Sequence, residues 1–139
     1  GFTIIEFLVA ISIMALLTGM LMPVYANFRI KNDLATTTSS TVNALRRAHV
    51  LALSEKQDSA WGVHFASGSL TLFRGSSYAT RDTASDEVTT VSTQIQFGGL
   101  SDVVFTKFTG LPTQTGSIII QAPHETKTLT LNAQGTVSY

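Results

Sequence analysis

The chain has no cysteine, so disulfide staples, thiolate nucleophiles and cysteine-ligated metal sites are excluded. Proline is scarce, at three residues in 139, and only 13% of residues are charged, with nine basic side chains balanced by nine acidic ones. A formal charge of zero leaves no strong electrostatic footprint for a nucleic acid. Serines are abundant, yet no GxSxG elbow appears, so the nucleophile arrangement of an α/β hydrolase is missing. His49, His64 and His124 lie far apart without a Cys, Asp or Glu at metal-ligand spacing, which reads as three structural or solvated imidazoles. Asp86 and Glu87 are adjacent acids in a stretch read as a loop, where solvating charge is a plainer account than general acid–base work. The expectation is a protein that is not an enzyme and holds neither cofactor nor metal.

What is present is unevenly spread. After Glu6, residues 7–28 contain no charged side chain, and from Arg29 onward the chain turns polar and rich in Thr and Ser. Without Glu6 the remainder carries nine basic against eight acidic residues, a balance of +1. As a helix the uncharged run would extend about 33 Å, enough for the hydrocarbon core of a bilayer. Two parts are therefore expected: a hydrophobic N-terminal helix over residues 1–28 and a globular part over residues 29–139.

The apolar run lacks the basic start, short apolar core and small-residue cleavage site of a secretory signal peptide. Arg29 and Lys31 follow it and no basic residue precedes it, which alone would place the C-terminal side in the cytoplasm. That orientation reverses if a basic leader has been removed from the front, and such a leader is expected. A bare single-pass anchor would account for the hydropathy but not for Glu6. An isolated carboxylate in an apolar medium costs several kcal/mol, so Glu6 requires a partner or a task.

Within the run, Pro23 lacks a backbone donor and clashes with the carbonyl of Gly19, itself a flexible position. A kink or local unwinding is expected over residues 19–23, with a static packed kink as the plainer alternative. Beyond it Val42, Leu45, His49, Ala52 and Leu53 recur at helical spacing, with Arg46, Arg47 and Lys56 largely off that stripe. Residues 36–41 are weak helix formers. A helix from near Phe2 to near Lys56 is predicted, a rod of about 80 Å.

The rest alternates like an antiparallel sheet or pair of sheets. Ala60–Phe65 (AWGVHF) and Ser69–Arg74 (SLTLFR) around Ser67 and Gly68 read as a hairpin, and further strands are expected over residues 88–97, 103–108, 117–121, 127–132 and 136–138. Residues 75–87 (GSSYATRDTASDE) read as a mobile surface loop and residues 109–116 (TGLPTQTG) as a second one. The fold class is thus α+β, a long N-terminal helix against C-terminal antiparallel strands.

The opening GFTIIE, the apolar helix after it, and Pro23 and Tyr25 near its end resemble the class III signal and N-terminal helix of type IV pilins and type II secretion pseudopilins. The family pattern of glycine, phenylalanine and a glutamate at the fifth mature position falls on Gly1, Phe2 and Glu6, counting Phe2 as the first mature residue. The resemblance implies cleavage after the glycine and N-methylation of the new terminus by a prepilin peptidase. The methylated amine sits on Phe2 if Gly1 is removed and on Gly1 if processing differs by one residue. It further implies a pilin fold, a helical homopolymer built by inner-membrane assembly machinery, and Glu6 paired with the N-terminal amine of a neighbour. That pairing offsets part of the burial cost and sets axial register. The order of the globular part more loosely resembles H-type pseudopilins and pilins without a C-terminal disulfide loop.

Three functions follow as expectations. The first is a structural subunit of a type IV pilus-like extracellular filament, lodged in the inner membrane before assembly, with adhesion, motility or DNA uptake as roles of the whole system. The second is a pseudopilin or minor pilin acting as a piston or tip component, periplasmic in the first case. The third is a DNA-binding minor pilin using Arg46 and Arg47, with Lys56 and Arg29. Acids are interleaved with these bases, so salt bridges or a solvated face are the plainer account and nucleic acid is not an expected partner. Trp61 reads as core rather than as a sugar platform.

Overall fold

The computed structural model describes residues 1, 3–54 and 58–138, and describes residues 20–24 by backbone alone. The architecture is α+β: among the described residues one helix, α1 (Ile4–Leu53), precedes eight strands in two antiparallel sheets. The strands are β1 (Trp61–Ala66), β2 (Ser69–Arg74), β3 (Asp82–Thr90), β4 (Gln96–Gly99), β5 (Asp102–Phe105), β6 (Gly116–Gln121), β7 (Thr126–Leu131) and β8 (Val137–Ser138).

The helix has 50 residues, about 75 Å of rise. Its assignment is continuous through Pro23. The side chains of the kink region beyond Gly19 lie outside the described residues, as do Phe2 and Lys56. The second half buries a stripe of Leu34, Thr37, Thr41, Leu45, Ala48 and Ala52, stepping by three or four residues as one face of a helix must. The weak helix formers of residues 36–41 are held by this packing. The Thr41 hydroxyl donates to the Thr37 carbonyl at 2.8 Å and that of Thr38 to the Leu34 carbonyl at 2.7 Å, so burial leaves neither oxygen unsatisfied.

One sheet has the order β3-β2-β1-β5 and the other β4-β6-β7-β8. Alternation along β1 sends Trp61, Val63 and Phe65 into the core shared with the helix stripe, together with Leu70 and Leu72 of β2. The second sheet adds Ile118, Ile120, Leu129, Leu131 and Val137. Phe65 and Phe97 join the sheets with ring centroids 5.5 Å apart. At the end of α1, Gly110 takes φ 63°, and a side chain there would press on Leu53 and His49; glycine is the residue that meets both demands.

Residues 75–87 depart from expectation. Their second half is strand β3, which pairs antiparallel with β2 from Ser69↔Thr90 to Arg74↔Asp82, with a register shift between Leu72 and Arg74. An edge strand buries little on either face, so its sequence lacks the apolar alternation that betrays inner strands, and its Asp82, Asp86 and Glu87 guard an open edge. The first half folds down on the outer face of the sheet. Tyr78 stacks on His64 at 3.7 Å and meets Phe73 edge-on at 5.4 Å, while the Arg81 guanidinium sits 3.8 Å over the Tyr78 ring. Arg81 Nε donates to Asp86 Oδ2 at 2.8 Å and its Nη1 to the Tyr78 carbonyl. Phe73 is thereby fully buried on the face opposite the main core. The single strand expected over residues 88–97 is two: β3 ends at Thr90, and β4 starts at Gln96 in the other sheet after a turn in which Ile95 N–H donates to the Ser92 carbonyl.

Candidate functional site: an uncovered apolar helix

Residues 4–19 of α1 are exposed on every side. Ile4 is 81% exposed, Met14 71% and Leu16 69%, and Tyr25 and Phe28 farther along are exposed as well. Apolar surface uncovered around the whole circumference of a helix has no stable place in water and calls for lipid or other helices around it. The polar side chains in the stretch suit such surroundings. Ser12 donates to the Leu8 carbonyl and Thr18 to the Met14 carbonyl, both at 2.7 Å, so each hydroxyl is satisfied inside its own helix. Gly19 has open space where a side chain would project. Among the described residues no helix is long and apolar enough to cross a membrane. The expected span over residues 7–28 runs through residues 20–24, whose side chains are outside that set.

At the tip, Glu6 has a local partner that the sequence reading overlooked. Thr3 is the N-cap of α1: its hydroxyl accepts from the Glu6 N–H at 3.3 Å, and its own N–H and hydroxyl both donate to Glu6 Oε2 at 3.0 Å. This is a capping box, legible as a Thr followed three residues later by Glu. Both bonds use the same carboxylate oxygen. Gly1 is exposed beside this turn, and Phe2 lies outside the described residues.

The other candidate residues do not converge. Arg47 donates to Glu87 at 2.6 Å across to the edge strand, so both are engaged within the chain, and Glu87 and Asp86 stand in a strand rather than a loop. Arg29 and Arg46 are 17 positions apart on one helix, about 25 Å, too far for a single basic patch. His49 packs against Phe105 at 5.3 Å, His64 against Tyr78, and His124 lies in the turn between β6 and β7. Among the described residues no group of three His, Asp or Glu is placed to hold a metal ion. Trp61 is buried in the core.

Asp82 shows the clearest electrostatic effect in the head. Hydrogen bonds from the Ser85 hydroxyl and the Ala84 N–H, with the Arg74 guanidinium beside it, hold its carboxyl below the usual aspartate range. The two hydrogen bonds and the ion pair all favour the ionised form.

No family model, curated protein or solved structure matches this chain.

Proposed function

We propose that the chain is a structural subunit of a type IV pilus-like extracellular filament with a pilin fold. Residues 1–28 lie in the inner membrane before assembly and in a bundle of helices from other copies afterwards, with the head of residues 29–139 on the outside. Prepilin peptidase and the inner-membrane assembly machinery are its partners before it joins the fibre. The observation that supports this best is a helix apolar on all sides, uncovered over residues 4–19 and continuous with a packed head. Glu6 at its tip, capped through Oε2, pairs with the amine of a neighbouring copy. Gly19 and Pro23 supply the place where the rod bends.

The charge and the capping role of Glu6 separate by mutation. Glu6→Gln keeps a side chain suited to the capping box but removes the charge. Fibre yield should then fall by roughly tenfold or more while membrane insertion stays intact. Thr3→Ala removes the cap and keeps the charge, so fibres should persist. Electron microscopy of sheared fibres reads both. Normal fibres from Glu6→Gln would falsify the charge role, and loss confined to Thr3→Ala would assign the site to capping alone.

A head of two antiparallel sheets without a cysteine-closed loop favours one further reading, an H-type pseudopilin or minor pilin in a short periplasmic or tip complex. Long extracellular fibres of this chain support the first reading, and a chain confined to the cell envelope supports the second.

A further inference from the structure

Where α1 leaves its apolar run and enters the head, a cleft of 280 Å³ opens between the helix and the β6–β7 turn, lined by Asn27, Ile30, Lys31, Leu34, Ala122, His124 and Glu125. The helical residues are spaced i, i+3, i+4 and i+7, so they form one stripe that continues the apolar rod toward the head. Its floor is apolar, with Leu34 and Ala122 buried and Ile30 half-buried. Its rim carries the nitrogen donors of Asn27, Lys31 and His124 and one carboxylate, Glu125.

The charge around it is unbalanced in one direction. Ion pairs among the described residues take Arg47, Arg74, Arg81, Lys107 and Lys127, and Lys31 at the neck is in none of them. Glu125, the acid at the cleft, is already engaged by Lys127 at 3.1 Å. Asp33 lies on the opposite side of the helix, in a second cleft with Arg29 and Tyr25. An unpaired ammonium and an amide over an apolar floor, next to an uncovered apolar helix, match a molecule with a phosphate head and hydrocarbon tails.

We propose that this neck cleft binds the headgroup of an anionic glycerophospholipid: Lys31 pairs with the phosphate, Asn27 and His124 donate to its oxygens, and the acyl chains run along residues 4–28. The proposal rests on the reading of that helix as membrane-embedded before assembly. The site sets the depth at which the head rides and is vacated when the subunit leaves the bilayer.

The full chain in neutral detergent micelles, titrated with phosphatidylglycerol or with phosphatidylcholine of the same acyl chains, tests this by native mass spectrometry. Retention of phosphatidylglycerol should exceed that of phosphatidylcholine by about fivefold or more, the preference expected of one basic residue at an anionic surface. Lys31→Ala should bring the two lipids to parity, and Lys31→Arg should restore the difference. Equal retention by the wild-type chain, or a preference unchanged in Lys31→Ala, overturns the proposal. A benzophenone amino acid at position 27 in phosphatidylglycerol vesicles should crosslink to lipid, and crosslinks to a second copy instead overturn it in favour of a protein occupant. Flotation with pure phosphatidylcholine vesicles tests the underlying reading separately. A chain that floats but shows no lipid preference loses only the cleft, whereas a chain that does not float loses both.

Discussion

The two halves of α1 are one helix in two different surroundings. Leu45 and Ala48 are wholly buried, while Ile4 is 81% and Leu16 69% exposed. The second half is apolar along one stripe and spends that stripe on the sheets. The first is exposed around its whole circumference over residues 4–19. A one-sided stripe is completed by a fold within the chain, whereas an all-round apolar surface is completed only by a surrounding medium or by other chains. Apolar content alone therefore does not locate a core.

The largest test of this contrast is a matched pair of truncations. Leu45→Ala should destabilise the head by about 3 kcal/mol, from lost transfer energy and the cavity left behind. Leu16→Ala should leave the denaturant midpoint of the head within about 0.5 kcal/mol, because it removes no contact there. Equal effects would break the distinction between the halves.

Next in size is the strap over the outer face of the first sheet. Arg81→Ala strips Asp86 of its partner and Tyr78 of its cover, and the pair is only about a fifth exposed, with side-chain values of 22% and 13%. A loss of about 2 kcal/mol is expected, between the exposed and buried limits, and urea unfolding reads it. A change below a few tenths would mean that residues 75–81 are a loosely held loop.

Thr3→Ala should cost about 1 kcal/mol of first-turn stability. Faster amide exchange near Glu6 would show it, while the melting of the head should not change. The smallest effect is on pH. The Asp82 carboxyl is held low in the folded chain, so the unfolded chain takes up its proton at the higher pH. The stabilisation is present above the ordinary aspartate range of about pH 4 and is lost as pH falls through the folded value. Asp82→Asn should flatten that acid limb of the unfolding curve. An unchanged acid limb would show that the Ser85, Ala84 and Arg74 contacts leave stability untouched.

Much of the architecture is legible in the residues. The β1–β2 hairpin and the strand positions near Val103, Ser117 and Lys127 follow from period and turn chemistry, as does the long helix, which is predicted to reach near Lys56 and ends at Leu53. Strand β3 was hidden because an edge strand with polar residues on both faces carries no apolar alternation. Thr41 was hidden for another reason: a Thr whose hydroxyl is satisfied by its own helix, here by the Thr37 carbonyl, packs like a small apolar residue, and composition does not record that bond. The Thr3–Glu6 cap is legible in the spacing of a Thr and a Glu three residues apart.

Periodicity is local, because side-chain direction repeats every 3.6 residues in a helix and every two in a strand. The order of residues is therefore enough to mark the apolar rod, the amphipathic stripe and most strands. The strand orders β3-β2-β1-β5 and β4-β6-β7-β8, the folding of Tyr78 and Arg81 onto His64, the Arg47–Glu87 pair and the neck cleft beside Lys31 arise differently. Each joins groups distant in sequence or depends on how two elements pack. Their partners are chosen by the closure of the whole core, which no local pattern encodes.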